Sequence, residues 1–232
     1  MISRVTALFG RAKRVLQTEG LLPLLWQGLT LIASYFFRYE TYYLYQHGLE
    51  EMNEDDLMPR VENFTSKVIT TNQEADALVA DGYQFRYSDG IHRERLDKGA
   101  IACCIFVGRE LAHITWAATT EEAQKSILDL PFRVDYSNNE AFMGGSITDA
   151  KYRRMGLMSY SHARRRRFLR GKGAIVSRSP VAKNNIASRG MVEKSGYNMY
   201  GEARHLKILW WKSWKEMPLK PDEPAPLPSL KS

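Results

Sequence analysis

Residues 146–158 read Ser-Ile-Thr-Asp-Ala-Lys-Tyr-Arg-Arg-Met-Gly-Leu-Met. Just before them, residues 140–148 (EAFMGGSIT) have the length of a strand, with Gly144-Gly145 as a bulge or a point of close backbone approach. Just after them, residues 158–169 read as a helix. The stretch is therefore a strand, a tight turn and a helix start. The first N–H groups of such a helix have no partner within it, and with the helix dipole they form an anion site suited to a pyrophosphate. Gly156 lets a phosphate approach the backbone closely. Arg153 and Arg154 add positive charge where phosphates would lie. The turn lacks the Lys-Ser/Thr of a nucleoside-triphosphate loop and the three-glycine dinucleotide pattern.

Working outward toward the N-terminus, residues 100–107 (AIACCIFV) and 111–118 (LAHITWAA) are apolar runs of strand length around Gly108-Arg-Glu, a hairpin signal. Residues 64–70 read as a strand and 134–136 as a short one. Asn72 is placed to cap a helix over 73–80 that Gly82 ends, and 92–98 is briefly helical. Toward the C-terminus, 174–178 reads as a strand, 186–195 as a helix stopped by Gly196, and 205–210 as a last strand. The order predicts a mixed α/β domain with an antiparallel front half and a crossover back half.

Two blocks then give a resemblance. Arg153-x-x-Gly156-x-Met158 resembles the Gln/Arg-x-x-Gly-x-Gly/Ala loop of the GCN5-related N-acetyltransferases, matching at the first two positions and departing at the third. Val181-Ala-Lys-Asn-Asn185-Ile-Ala-Ser188 and Val192-Glu-Lys-Ser-Gly196-Tyr197 look like the same family's second signature, about thirty residues on. The resemblance covers roughly residues 64–214. It implies a mostly antiparallel twisted sheet flanked by helices, and an acyl-coenzyme A co-substrate, acetyl-coenzyme A in the first instance. The backbone N–H groups of Arg154, Met155, Gly156, Leu157 and Met158 would hold the pyrophosphate, with Arg153 adding charge. Asn185 would hydrogen-bond the pantetheine arm, with Ser188 as the small residue three positions later. The strand ending at Thr148 and the one starting near residue 174 would grip that arm like an added strand. Asn185 could equally be a helix cap.

Catalysis in such enzymes is direct: a neutral amine attacks the thioester, and a base takes its proton. Glu140, at the start of the strand before the loop, is the first candidate base. His113, mid-strand and with an accessible pKa, is the second, and Asp149 the third. The Tyr that often serves as acid seven residues after the Asn is replaced here by Val192. The run Arg164–Arg167 cannot all face one ligand, because successive helix positions turn by about 100°; most of it reads as a solvated face. Cys103 and Cys104 lie in an apolar run and read as core thiols. No metal is expected, since His47, His92, His162 and His205 show no ligand spacing.

The 232 residues are 44% hydrophobic and 25% charged, which is globular composition and excludes a wholly disordered chain. Two adjacent cysteines exclude a disulfide scaffold and fit a cytoplasmic compartment. Residues 150–192 hold twelve Lys or Arg and no Asp or Glu, while the rest carries 21 basic and 26 acidic residues. That window calls for a polyanionic partner. Four basic residues precede the uncharged run 20–37, and seven aromatics cluster between Tyr35 and Tyr45. This segment reads either as an interfacial anchor on the inner face of a membrane or as a helix packed on protein. The expected organisation is a basic, hydrophobic helical extension (1–60), the acyltransferase-like domain (61–215) and a proline-rich disordered tail (216–232). Three functions compete: an N-acyltransferase acting on an amine of a small molecule, amino sugar or protein; a non-catalytic coenzyme A sensor; and a nucleic-acid module using the basic window, the least favoured. The sequence leaves homo-oligomerisation open.

Overall fold

The computed structural model describes residues 37–50, 57–85 and 89–219. Of the uncharged run at 20–37 only Phe37 is included, and the tail beyond 219 lies outside the described residues. Among the described residues eight strands occur in chain order: Phe37–Gly48 (β1), Phe64–Ile69 (β2), Ile101–Val107 (β3), Glu110–Ala118 (β4), Glu140–Thr148 (β5), Val176–Ala182 (β6), Asn198–Ile208 (β7) and Trp211–Pro218 (β8). Five helices of the described residues accompany them: Asn72–Ala80 (α1), Asp89–Asp97 (α2), Glu121–Ile127 (α3), Leu157–Gly171 (α4) and Ile186–Lys194 (α5). The strand order is β2-β3-β4-β5-β6-β1-β7-β8.

The hairpin forms where the sequence placed it. Ile101 pairs with Ala117 and Val107 with Glu110, around a turn at Gly108 with φ of +59°. All of β3 but Val107, and all of β4 but Glu110, is buried. Both faces of this hairpin are thus covered, which explains why its strands read as continuous apolar runs instead of alternating. Cys103 and Cys104 are free and buried, and burial pushes the Cys103 thiol up to about 11. The sheet is antiparallel from β2 through β5 and again between β6 and β1; β5 and β6 are parallel.

Several local expectations change. Thr71, not Asn72, caps α1: its extended backbone (φ −137°) lets the hydroxyl accept from the Glu74 N–H at 3.1 Å. Residues 134–136 are not a strand, because the Asp135 carboxylate caps a single 3-10 turn, Tyr136–Asn138. Helix α3 went unread, although Thr120 caps it and Glu121 and Glu122 fill its first turn. Strand β6 runs on to Ala182, past the expected end at 178. One expected last strand is two, and β8 reaches Pro218.

The largest difference lies in the aromatic cluster. Tyr42–Gly48, read as part of the N-terminal extension, is a strand paired antiparallel to β6, from Tyr42↔Ala182 to Gly48↔Val176. Tyr42, Tyr43, Leu44 and Tyr45 are all buried. Tyr43 and Tyr45 join Ile101, Met143, Leu169 and Val192 in one core cluster. Three of the seven rings, Tyr42, Tyr43 and Tyr45, are covered by protein, while Phe37 and Tyr39 are exposed. Consecutive buried residues expose no face, so no period-two pattern marked the strand.

The chain divides into two compact units. The larger comprises 42–203 with the chain from 216 on. The described part of the smaller is 37–41 with 204–215, where the rings of His205 and Trp214 lie 6.1 Å apart and Trp210 is exposed.

Candidate active site

Within the larger unit, β5 and β6 pair only over Glu140↔Val176, Ala141↔Ser177 and Phe142↔Arg178. Beyond that, β4 holds β5 as far as His113↔Thr148, while β1 holds β6 as far as Tyr42↔Ala182. Each strand follows its outer partner, so the two part. At the parting β5 bulges, with a register shift between Ile114 and Trp116 of β4. Two glycines make this bulge. A Cβ on Gly144 would sit 2.7 Å from the Phe142 ring, and Gly145 has φ of +61°.

The result is a cleft of about 290 Å³. Its walls are Met143–Ser146 of β5, Ser179–Ala182 of β6, and residues from α4 and α5. Asn185 and Ser188 lie at the α5 end, just past β6. Tyr197 marks the closed end, where Ser177 donates to its phenol at 3.3 Å and the phenol donates to Met143 Sδ at 3.1 Å.

Asn185 does cap α5: its Oδ1 accepts from the Ser188 N–H at 3.1 Å. The residue also lines the cleft. Ser188 shares that wall.

The loop before α4 is built from two left-handed residues, Arg154 (φ +65°) and Gly156 (φ +82°). The first hydrogen bond into the helix runs from Tyr160 N–H to the Gly156 carbonyl at 3.2 Å. The N–H groups of Leu157, Met158 and Ser159 therefore have no intrahelical acceptor. Arg153 and Arg154 are exposed, Met155 is half-buried and Leu157 is buried. Arg60 N–H donates to the Met155 carbonyl at 2.9 Å and braces the loop. None of residues 153–158 lines the cleft, and neither does Thr148. Asp149 is used locally, its carboxylate accepting from Lys151 N–H at 2.9 Å.

The two expected bases lie elsewhere. Glu140 Oε1 pairs with Arg178 at 2.5 Å, and Oε2 accepts from Asp135 N–H at 2.8 Å. It lines a different, larger cavity of about 850 Å³ together with Gln124, Phe132–Tyr136, Asn138 and Arg178. His113 is fully buried, shares a hydrogen bond with Thr148 Oγ1 at 2.8 Å, and burial with the nearby Arg165 charge lowers its pKa to about 3. The expected accessible pKa is not met, because burial disfavours the charged ring.

Two cleft residues went unread, His162 and Arg165. Far from a solvated face, the arginine run sends Arg165 and Arg166 inward, at 1% and 3% exposure. Arg165 donates to Thr115 Oγ1, to the Trp116 carbonyl at 2.9 Å and to His162 Nε2 at 3.1 Å. Arg166 donates to the Gly48 carbonyl at 3.1 Å. The readable signal was helical spacing: positions 162, 165, 166 and 169 fall on one stripe that also carries Leu169.

With this geometry the likeness to solved structures becomes specific. A functionally unknown conserved protein from Staphylococcus epidermidis matches at 15% identity with a TM-score of 0.50, over 78% of this chain and 66% of that one. A tandem GNAT protein from the clavulanic acid biosynthesis pathway matches at 12% identity and TM-score 0.50, over 83% of this chain and 60% of that one. The GCN5-related glucosamine N-acetyltransferase region of a fungal multi-domain beta-N-acetylglucosaminidase matches at 14% and 0.50, over 78% of this chain and 22% of that one. This chain has the GCN5-related N-acetyltransferase fold. It spans less than two thirds of the length of each of these three chains. No family model matches the sequence, and no curated protein matches it. Among the described residues no group of His, Cys, Asp or Glu is arranged to hold a metal.

Proposed function

We propose that the protein is an acyl-coenzyme A-dependent N-acyltransferase whose donor arm lies between β5 and β6. The observation that carries this reading is the parting of the two strands after Phe142↔Arg178, with Asn185 at the rim of the opening. Between the parted strands a chain of pantetheine's kind, with two amides, can bond like an added strand. Pro180 offers a carbonyl there but no N–H, so part of the pairing falls to β5 and to the Asn185 amide. The N–H groups of Leu157–Ser159 and the exposed guanidinium groups of Arg153 and Arg154 suit a pyrophosphate.

The donor, when bound, supplies an acyl carbon activated as a thioester. The chain's own groups do the rest. Glu140 lies in the second cavity, and it opens the paired stretch of β5 and β6 that Phe142 and Arg178 close. The cavity's lining sets three carboxylates, Glu121, Asp135 and Glu140, against two guanidinium groups, Arg133 and Arg178. Glu140 is the proposed proton acceptor for the attacking amine. Arg178 and the Asp135 N–H hold its two oxygens, which fixes its orientation. His113 takes no proton in this scheme; it positions Thr148 at the end of β5.

The nucleic-acid reading weakens, because Arg165 and Arg166 of the basic window are buried. We place the protein in the cytoplasm, in keeping with two free buried thiols. Among the described residues no helix is long and apolar enough to cross a membrane. The uncharged run at 20–37, of which only Phe37 is among them, keeps both readings, an interfacial anchor and a helix packed on protein.

Calorimetry with acetyl-coenzyme A at two salt concentrations tests the reading. Saturable one-site binding supports it and opens an amine screen that follows thiol release. Absence of binding at both salts overturns it. Binding without turnover of any amine moves the protein to a coenzyme A sensor.

A further inference from the structure

The closed end of the cleft carries a positive charge that no carboxylate among the described residues neutralises. Arg165 is 1% exposed, yet its partners are all neutral: the Thr115 hydroxyl, the Trp116 carbonyl and the His162 ring. The other groups near its charge are the Cys103 thiol and the Tyr197 phenol. A buried guanidinium ordinarily meets a carboxylate, because burying a lone charge is costly. Here none of the described residues supplies one.

The hydrogen-bond inventory sharpens this. Arg165 can only donate, so His162 Nε2 must accept, and the neutral ring then carries its proton on Nδ1. That N–H has no acceptor, and the Arg165 Nε–H has none either. Both side chains are more than nine-tenths buried, and both line the cleft. The closed end is therefore a wall with one full positive charge and two idle donors. The neutral groups around it, Met143 and Tyr197, give it a low dielectric in which an ion pair is strong.

We propose that this wall receives a carboxylate on one of the reacting partners, with Arg165 as its counter-charge and the His162 Nδ1–H as a second donor. This rests on the acyltransferase reading, which puts the acyl end of the donor arm at Tyr197 and the rest of the arm toward Asn185. The carboxylate is then either the far end of a dicarboxylic acyl group or the acid group of an amino-acid-like acceptor. The two sources share the same chemistry and differ in which substrate carries it.

The test compares four probes on the full chain. Succinyl-coenzyme A and acetyl-coenzyme A are titrated calorimetrically. With the better donor present, 4-aminobutyrate and its amide are compared as acceptors. The proposal expects one pair to differ by roughly tenfold or more in favour of the carboxylate, the range of a charge-assisted hydrogen bond. A donor difference assigns the carboxylate to the acyl group; an acceptor difference assigns it to the amine. In R165Q that ratio should fall toward one. Equal behaviour of wild type in both pairs overturns the proposal without any variant, and leaves the acyltransferase reading standing if acetyl-coenzyme A binds. A ratio that survives in a folded R165Q also overturns it. If neither thioester binds, both readings fall together.

Discussion

Phe142 on β5 stands opposite Arg178 on β6 in the last pair that joins these strands, and from there they separate. Both sides of this junction matter. Ahead of it lies the cleft with Asn185 and Arg165; behind it Arg178 pairs with Glu140 at 2.5 Å in a second cavity. A single strand junction thus stands between two cavities with different linings.

Gly156 should be needed for both shape and binding. At φ of +82° an alanine is strained by about 1–2 kcal/mol, and its Cβ would meet Pro59 Cα at 3.5 Å. Gly173, with φ of +88° and open space around it, is the matched control after α4. Thermal denaturation should show similar losses for G156A and G173A. Acetyl-coenzyme A affinity should fall only in G156A; equal affinities would remove the loop from the binding site.

Asn185 has two separable roles. N185A loses the helix cap, about 1 kcal/mol of stability. N185S keeps an acceptor for the Ser188 N–H but lacks the amide donor. The expectation is that N185S restores most of the stability while both variants weaken acetyl-coenzyme A binding by roughly 2- to 10-fold. Normal binding by N185S would reduce Asn185 to a cap.

Glu140→Gln should lower the rate of thiol release by roughly 10²- to 10⁴-fold at neutral pH. The substitution retains an acceptor for the Asp135 N–H but leaves Arg178 without its carboxylate. A rate within twofold of wild type, in a variant that folds, would assign Glu140 a purely structural role.

Acid should destabilise the fold through its buried imidazoles. Burial lowers the His113 pKa from 6.5 to about 3 and shifts His162 in the same direction. Each group is neutral in the folded chain while the unfolded chain takes up a proton below its ordinary pKa. Their contribution is therefore fully present above about 6.5 and is lost as the pH falls below that; for His113 the loss continues toward about 3, at up to roughly 1.4 kcal/mol per pH unit. Urea denaturation across pH 7 to 4 should show this slope, and His113→Gln should make it shallower. An unchanged slope would mean that His113 is protonated in the fold.

The loop and the α5 signature were legible because they are local. Gly156 is demanded by a positive φ within one turn, and Asn185 by one helix end, so short spacing carries the information. The hairpin was legible for a similar reason: two apolar runs flank a glycine turn. Glu140 and His113 were read from strand position alone. Strand position says which face a residue shares, but not whether that face opens on a cavity. His113 turned out sealed, and Glu140 proved to face the far side of the junction.

The sequence by itself determined what neighbours along the chain decide: the strands β3, β4 and β5, the bulge at Gly144-Gly145, the helix start at Leu157 and the cap at Asn185. Only the tertiary structure decided the rest. Tyr42–Gly48 is a core strand because it pairs along the edge of β6 opposite β5, and it follows β6 to Ala182, past the last pair that β6 makes with β5. Arg165 turned inward because the helix that begins at the loop lays one face on β4, where Thr115 and the Trp116 carbonyl accept its hydrogen bonds. Contacts between residues fifty to a hundred and forty positions apart set both outcomes, and no local period encodes them.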